Sequence, residues 1–120
     1  MAWNVEVTDE CRYWLEGLSE AEFDSIDFTV DLLIARGPQL EHPHSSKISR
    51  SRHPHMRELR IQCAGRPLRV LYAFDPRRSA ILLIGGDKTG DKRFYDRMIP
   101  IADKLYDIHL DELRLEGLIP

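Results

Sequence analysis

The chain has 120 residues, 42% hydrophobic and 31% charged, which suits one packed domain spanning residues 1–120 and is too apolar for a disordered chain. Its net charge is only -3, but the charge is segregated: residues 1–41 sum to -8, residues 42–97 to +8 and residues 98–120 to -3. No apolar run approaches the roughly 20 residues of a membrane helix, no signal-peptide pattern opens the chain, and Cys11 and Cys63 lack CxxC spacing, so the sequence predicts a cytoplasmic protein with no membrane contact, disulfide framework or zinc site.

Trp3, Val5 and Thr8 bracket a short alternating stretch that predicts a first strand, and Thr8 is placed to cap a helix that opens with Asp9 and Glu10. Ser19 followed by Glu22 forms a capping box. Phe23, Ile26, Val30 and Leu33 then recur at helical spacing until Gly37 and Pro38 stop the segment. Residues 38–55, with three prolines, four serines and four histidines, read as a long exposed loop whose length hints at function.

Three strand-like runs follow, at 56–63, 68–74 and 80–84, joined by tight turns at 64–67 and 75–78, which predicts an antiparallel meander. Alternation puts Leu59 and Ile61, and Val70, Tyr72 and Phe74, on apolar faces. It leaves Glu58, Arg60 and Arg69 on the opposite, outer face. Gly85 and Gly86 read as residues that let the last strand end and turn, without the spacing of a phosphate loop. A C-terminal helix runs through Ile101, Leu105 and Ile108 toward Gly117, with Pro100 opening or kinking it.

The basic excess of the middle segment is mostly arginine, whose planar fork suits phosphate. Strand polarity gathers Arg60 and Arg69 with Lys88 at the end of the last strand and Lys92, Arg93 and Tyr95 just beyond it. Such a patch neutralises RNA backbone and can stabilise a phosphorane formed when a 2′-hydroxyl attacks in line. Glu58 is the candidate base, and Tyr95 is placed to stack on a nucleobase or shuttle a proton. Arg77 and Arg78 read as solvated turn residues. Tyr72, Phe74, Phe23 and Trp14 read as core aromatics. His42, His44, His53 and His55 lack the accompanying spacing of a metal site, while His53 or His55 could move protons.

The runs Met56-Arg57-Glu58-Leu59-Arg60, Leu68-Arg69-Val70-Leu71-Tyr72 and Leu83-Ile84-Gly85-Gly86-Asp87-Lys88-Thr89 resemble the HigB branch of the RelE/ParE toxin superfamily. The resemblance implies an α+β fold: a small antiparallel sheet with two N-terminal helices packed on one face, and a C-terminal helix. It further implies a toxin of a type II toxin–antitoxin system, a metal-independent endoribonuclease that cuts messenger RNA on the ribosome and needs no cofactor. By motif, Glu58, Arg60, Arg69 and Lys88 carry over as catalytic residues, and Tyr95 by position. Lys47, Arg50, Arg52, Arg57, Lys92 and Arg93 are the RNA-binding candidates. The implied partner is a HigA-like helix-turn-helix antitoxin, with operator DNA contacted only through that complex. Two alternatives share the fold or the patch: a ParE-type toxin that binds DNA gyrase without cutting, and a non-catalytic RNA-binding regulator.

Overall fold

The structure, a computed structural model, describes residues 2–120. A short strand β1 (Val5–Val7) is followed by helices α1 (Asp9–Glu16) and α2 (Glu20–Arg36), strands β2 (Ser45–Lys47), β3 (Arg57–Cys63), β4 (Arg66–Phe74) and β5 (Ala80–Asp87), and helix α3 (Phe94–Leu115). Both predicted caps form. The Thr8 hydroxyl oxygen accepts from the Cys11 amide at 3.0 Å, and Ser19 and Glu22 satisfy each other's backbone amides at 3.2 and 3.0 Å.

The five strands lie in the order β1-β5-β4-β3-β2. The centre is the predicted antiparallel meander, whereas β1 joins β5 in parallel at one edge. Ala64 and Gly65, both with positive φ, make the two-residue turn between β3 and β4, the twist a tight hairpin favours.

The sheet separates two apolar cores. On one face Leu59, Ile61, Val70, Tyr72 and Leu82 pack against Cys11, Ile26 and Leu33 of α1 and α2. On the other, Leu71, Ala73, Ile81 and Leu83 pack against Phe94, Met98, Ala102 and Leu105 of α3. The two N-terminal helices therefore share a face, and the C-terminal helix covers part of the opposite one. Among the described residues no helix is long and apolar enough to cross a membrane.

Several local expectations change. Residues 38–55 are not a free loop: Leu40, Ser45 and Ile48 are buried, β2 pairs with β3, and the segment after β2 is strapped to α3 by Arg50–Asp96, Ser51–Asp103 and Arg52–Asp107 contacts. Gly85 and Gly86 lie inside β5 and face opposite cores. A Cβ on Gly85 would fall 2.2 Å from the Trp14 ring, and one on Gly86 2.8 Å from that of Phe94. They are glycine because two aromatic rings pack directly on the strand. Of the two roles the sequence left open for Pro100, opening α3 is excluded, because it sits within the helix, six residues past its start. Phe23 is not a core aromatic; it is 45% exposed, and Glu22, Ile26, Thr29 and Leu33 form the inner face of α2.

Arg77 is no solvated turn residue either. Its guanidinium donates to buried Asp75 at 2.8 and 3.0 Å and to Glu6 at 3.0 Å, while His109 of α3 meets the same Asp75 carboxylate at 2.9 Å. Arg78 adopts positive φ and lies over the Trp3 ring. One turn thereby ties β4, β1 and α3 together.

Candidate functional site

Glu58 and Arg60 stand two residues apart on β3, so their side chains leave the same face. Arg69 of β4 lies directly opposite Arg60 in the register, and Gly86 of β5 directly opposite Arg69. Two arginines facing each other across a ladder repel. The Glu58 carboxylate lies between them, with Oε2 3.4 Å from Arg60 Nη1 and Oε1 3.6 Å from Arg69 Nε.

Tyr95, in the first turn of α3, donates its phenol to Oε1 of Glu58 at 2.6 Å, and Ser46 of β2 donates its hydroxyl to Oε2 at 2.8 Å. Lys88, just past β5, holds its ammonium 5.6 Å from the Tyr95 ring centre, a cation–π contact that keeps it beside the cluster. The five predicted catalytic residues, Glu58, Arg60, Arg69, Lys88 and Tyr95, thus come together on the α3 face of the sheet, beside the first turn of that helix.

The electrostatics are those of a loaded but incompletely satisfied site. Glu58 is 4% exposed and Arg69 5%, so the pair is buried within the sheet face rather than spread over its outer surface as the alternation predicted. Arg69 Nη1 donates to the Leu68 carbonyl at 2.9 Å, but its Nε, buried, has no hydrogen-bond partner. A buried guanidinium N–H without a hydrogen bond is costly, and the Glu58 carboxylate 3.6 Å away offsets part of that cost by its charge. Burial raises the Tyr95 phenol above its usual value of 10, reinforced by the Glu58 carboxylate and only partly offset by Arg69, so Tyr95 keeps its proton.

Two shallow clefts flank this ridge. One, of about 190 Å³, is lined by His42, Pro43, Arg60, Ile61, Gln62 and Arg69. The other, of about 230 Å³, is bordered by Lys47, Ser49, Arg50, Glu58, Tyr95 and Ile99. A chain laid across the ridge would meet guanidinium groups on one side and the carboxylate–phenol pair on the other.

The predicted RNA-binding residues divide. Arg50 borders the second cleft, although its guanidinium is paired with Asp96 at 2.6 Å. Lys47 sits at the sheet edge and borders clefts on both sides. Lys92 and Arg93 are exposed in the turn before α3 and form no ion pair among the described residues. Arg52 is held by Asp107 along α3. Arg57 leaves β3 on the face opposite Glu58, where it donates to Ser45 Oγ at 3.0 Å and to the Leu40 carbonyl, so the structure places it apart from the cluster.

His53, weighed as a proton carrier, meets Asp107 at 2.8 Å and the edge of Tyr106, away from Glu58's partners. Ser46 was not among the residues expected at the site, and His42, weighed only as a metal ligand, borders the first cleft. Both lie in the stretch read as loop; a Ser-Ser-Lys tripeptide carries no strand periodicity that could have aligned Ser46 with Glu58.

Residues 13–107 match the sequence profile of the family described as phage derived protein Gp49-like (DUF891). The chain is 47% identical over 101 residues to the candidate toxin HigB3 of Mycobacterium tuberculosis, covering 83% of this chain and 87% of that protein. It is 36% identical over 112 residues to the candidate toxin HigB2 of the same organism, covering 92% of this chain but 55% of HigB2, so it spans about half the length of that relative. Among solved structures, a double arginine-to-alanine variant of E. coli toxin RelE in the free state aligns with TM-score 0.59 at 11% identity, over 82% of this chain and 96% of that one. The archaeal RelE–RelB complex from Pyrococcus horikoshii aligns with TM-score 0.56 at 15% identity, over 75% and 99%. At such identities these two structures speak to the fold alone.

Proposed function

Because this chain belongs to the Gp49-like family and is a HigB-like toxin of the RelE/ParE superfamily, we propose that it acts in the cytoplasm as a metal-independent endoribonuclease, cutting messenger RNA on the ribosome to stop translation. The observation that carries this reading is the convergence of Glu58, Tyr95, Arg60, Arg69 and Lys88 on one ridge. A toxin that only grips a protein needs no buried carboxylate hydrogen-bonded to a phenol among three cations.

The chemistry proposed is internal transesterification. Glu58 takes the proton of a 2′-hydroxyl, whose oxygen attacks the adjacent phosphorus. The bond to the 5′-oxygen breaks, leaving a 2′,3′-cyclic phosphate, and Tyr95 gives its proton to the departing oxygen. The hydrogen bond between Tyr95 and Glu58 then returns the proton from carboxylic acid to phenolate, restoring both groups. Arg60, Arg69 and Lys88 stabilise the dianionic phosphorane. Lys47, Arg50, Lys92 and Arg93 guide the strand by phosphate contact.

The partner in this reading is a cognate antitoxin, HigA-like and of helix-turn-helix type, through which alone the toxin would reach operator DNA. The archaeal neighbour of the same fold was solved as a RelE–RelB complex, and this reading extends a pairing of that kind to the present chain. The test is to induce the protein in bacteria lacking the antitoxin and map new 5′ ends in translated messages. Fresh ends support the reading. Intact messages accompanied by DNA breaks or filamentation would replace it with gyrase binding of the ParE type.

A further inference from the structure

We infer that Ser46 is the positioning residue of this site, its hydroxyl fixing the plane of the Glu58 carboxylate so that the carboxylate can accept a proton. The inference rests on the ribonuclease reading above and adds a residue to it. β2 consists of Ser45, Ser46 and Lys47, none of which supplies an apolar side chain to either core. Serine and lysine are poor strand formers, so neither propensity nor core packing explains why the chain forms a strand here.

What the strand delivers is two hydroxyls on opposite faces. Ser45 meets the Tyr72 phenol at 2.7 Å and accepts from Arg57 Nε at 3.0 Å, which anchors the strand to the core beneath α2. Ser46 lies directly opposite Glu58 in the register and donates to Oε2 at 2.8 Å.

The terminal torsion of a glutamate is broad and roughly two-fold, so a buried carboxylate held at one oxygen can still turn. Glu58 is held at both. Tyr95 engages Oε1 from α3, and Ser46 engages Oε2 from the neighbouring strand β2 on the same face. The cations do not replace this grip, because Arg60 makes only a long 3.4 Å hydrogen bond to Oε2 and Arg69, at 3.6 Å, makes none. Without the Ser46 hydroxyl, Oε2 keeps only the long Arg60 contact, and the carboxylate swings about its bond to Tyr95.

The test compares Ser46→Thr with Ser46→Val, which share a shape that a strand favours and differ by the hydroxyl alone. Both are assayed beside the wild type for cleavage of a translated message, for binding of an RNA oligonucleotide whose 2′-hydroxyls are replaced by hydrogen, and for thermal unfolding. The threonine variant should stay within about threefold of wild-type kcat, and the valine variant should lose about 10- to 100-fold. Both should bind the unreactive oligonucleotide within about twofold of the wild type and remain fully folded at the assay temperature.

A valine variant that cleaves like the threonine variant overturns the role. So does a valine loss that appears wholly in binding or in stability. A wild-type protein that leaves RNA intact removes the nuclease reading and this role with it, an outcome distinct from an active wild type with an active valine variant.

Discussion

The phenol of Tyr95 donates a 2.6 Å hydrogen bond to Oε1 of Glu58, joining the first turn of the last helix to the strand at the middle of the cationic ridge. Burial and the carboxylate together raise the phenol above 10, so it remains a proton donor throughout the neutral range. Tyr95→Phe keeps the ring under Lys88 and removes only the hydroxyl. It should lower kcat for RNA cleavage by about 100-fold, with little change in RNA affinity, as read from single-turnover kinetics against binding. A phenol whose folded value is raised stabilises the fold below its ordinary value and ceases to do so as pH climbs through the raised one. Alkaline unfolding above pH 10 should therefore be shallower in the Tyr95→Phe variant than in the wild type.

Trp14 of α1 packs its ring directly on Gly85 of β5. Gly85→Ala puts a methyl where the indole lies and should destabilise the protein by about 1–3 kcal/mol, measured by urea denaturation. In a Trp14→Leu background most of that penalty should vanish, because the two residues couple directly. Equal penalties in both backgrounds would mean that something other than the indole excludes the methyl.

Asp75 gathers Arg77, His109 and the Ser79 amide around one buried carboxylate. Burial alone would raise its pKa, but the hydrogen bonds from His109, Arg77 and Ser79 outweigh burial and hold it below 3.8. A carboxylate with a depressed folded value contributes stability above its unfolded value and loses it as pH falls through the folded one. Asp75→Asn should therefore cost about 3 kcal/mol at pH 7, and the gap to the wild type should close as pH falls below 3.8. Urea midpoints at pH 7 and at acid pH measure both.

Lys92 and Arg93 are exposed, and no ion pair among the described residues engages them. If both contact RNA phosphate, replacing both with alanine should reduce the slope of log affinity against log salt by about 1.4, since each phosphate contact on a single strand contributes about 0.7. Replacing Arg57, which faces the other side of the sheet, should leave the slope unchanged.

What the sequence made legible was whatever local pattern encodes. The Thr8 and Ser19 caps, the alternation in β3 and β4 and the cluster of Glu58, Arg60 and Arg69 all follow from spacing along one element or across one hairpin. What it hid depends on contacts between distant segments. β2 exists because Ser45 and Ser46 find Tyr72 and Glu58, not because Ser-Ser-Lys prefers a strand. Gly85 and Gly86 are set by rings from α1 and α3. Arg77 resembled a solvated turn residue until Asp75, Glu6 and His109 closed around it.

The position of Arg69 shows the same limit. Strand alternation correctly separated it from the core beneath α2, but could not show that Glu58 and Tyr95 would bury it. Arg69→Ala therefore removes a buried counter-charge as well as a phosphate donor, and a loss of activity in that variant mixes folding with chemistry. Glu58→Gln preserves shape and is the sharper probe.

The most direct measurement is 5′-end mapping of a message translated by purified ribosomes, with the wild-type protein and a folded Glu58→Gln variant added in parallel. The wild type should create new internal 5′ ends, and the glutamine variant about 100-fold fewer. A message that stays intact with the wild type, or ends that form equally well with the variant, would contradict the assignment of this ridge as a ribonuclease centre.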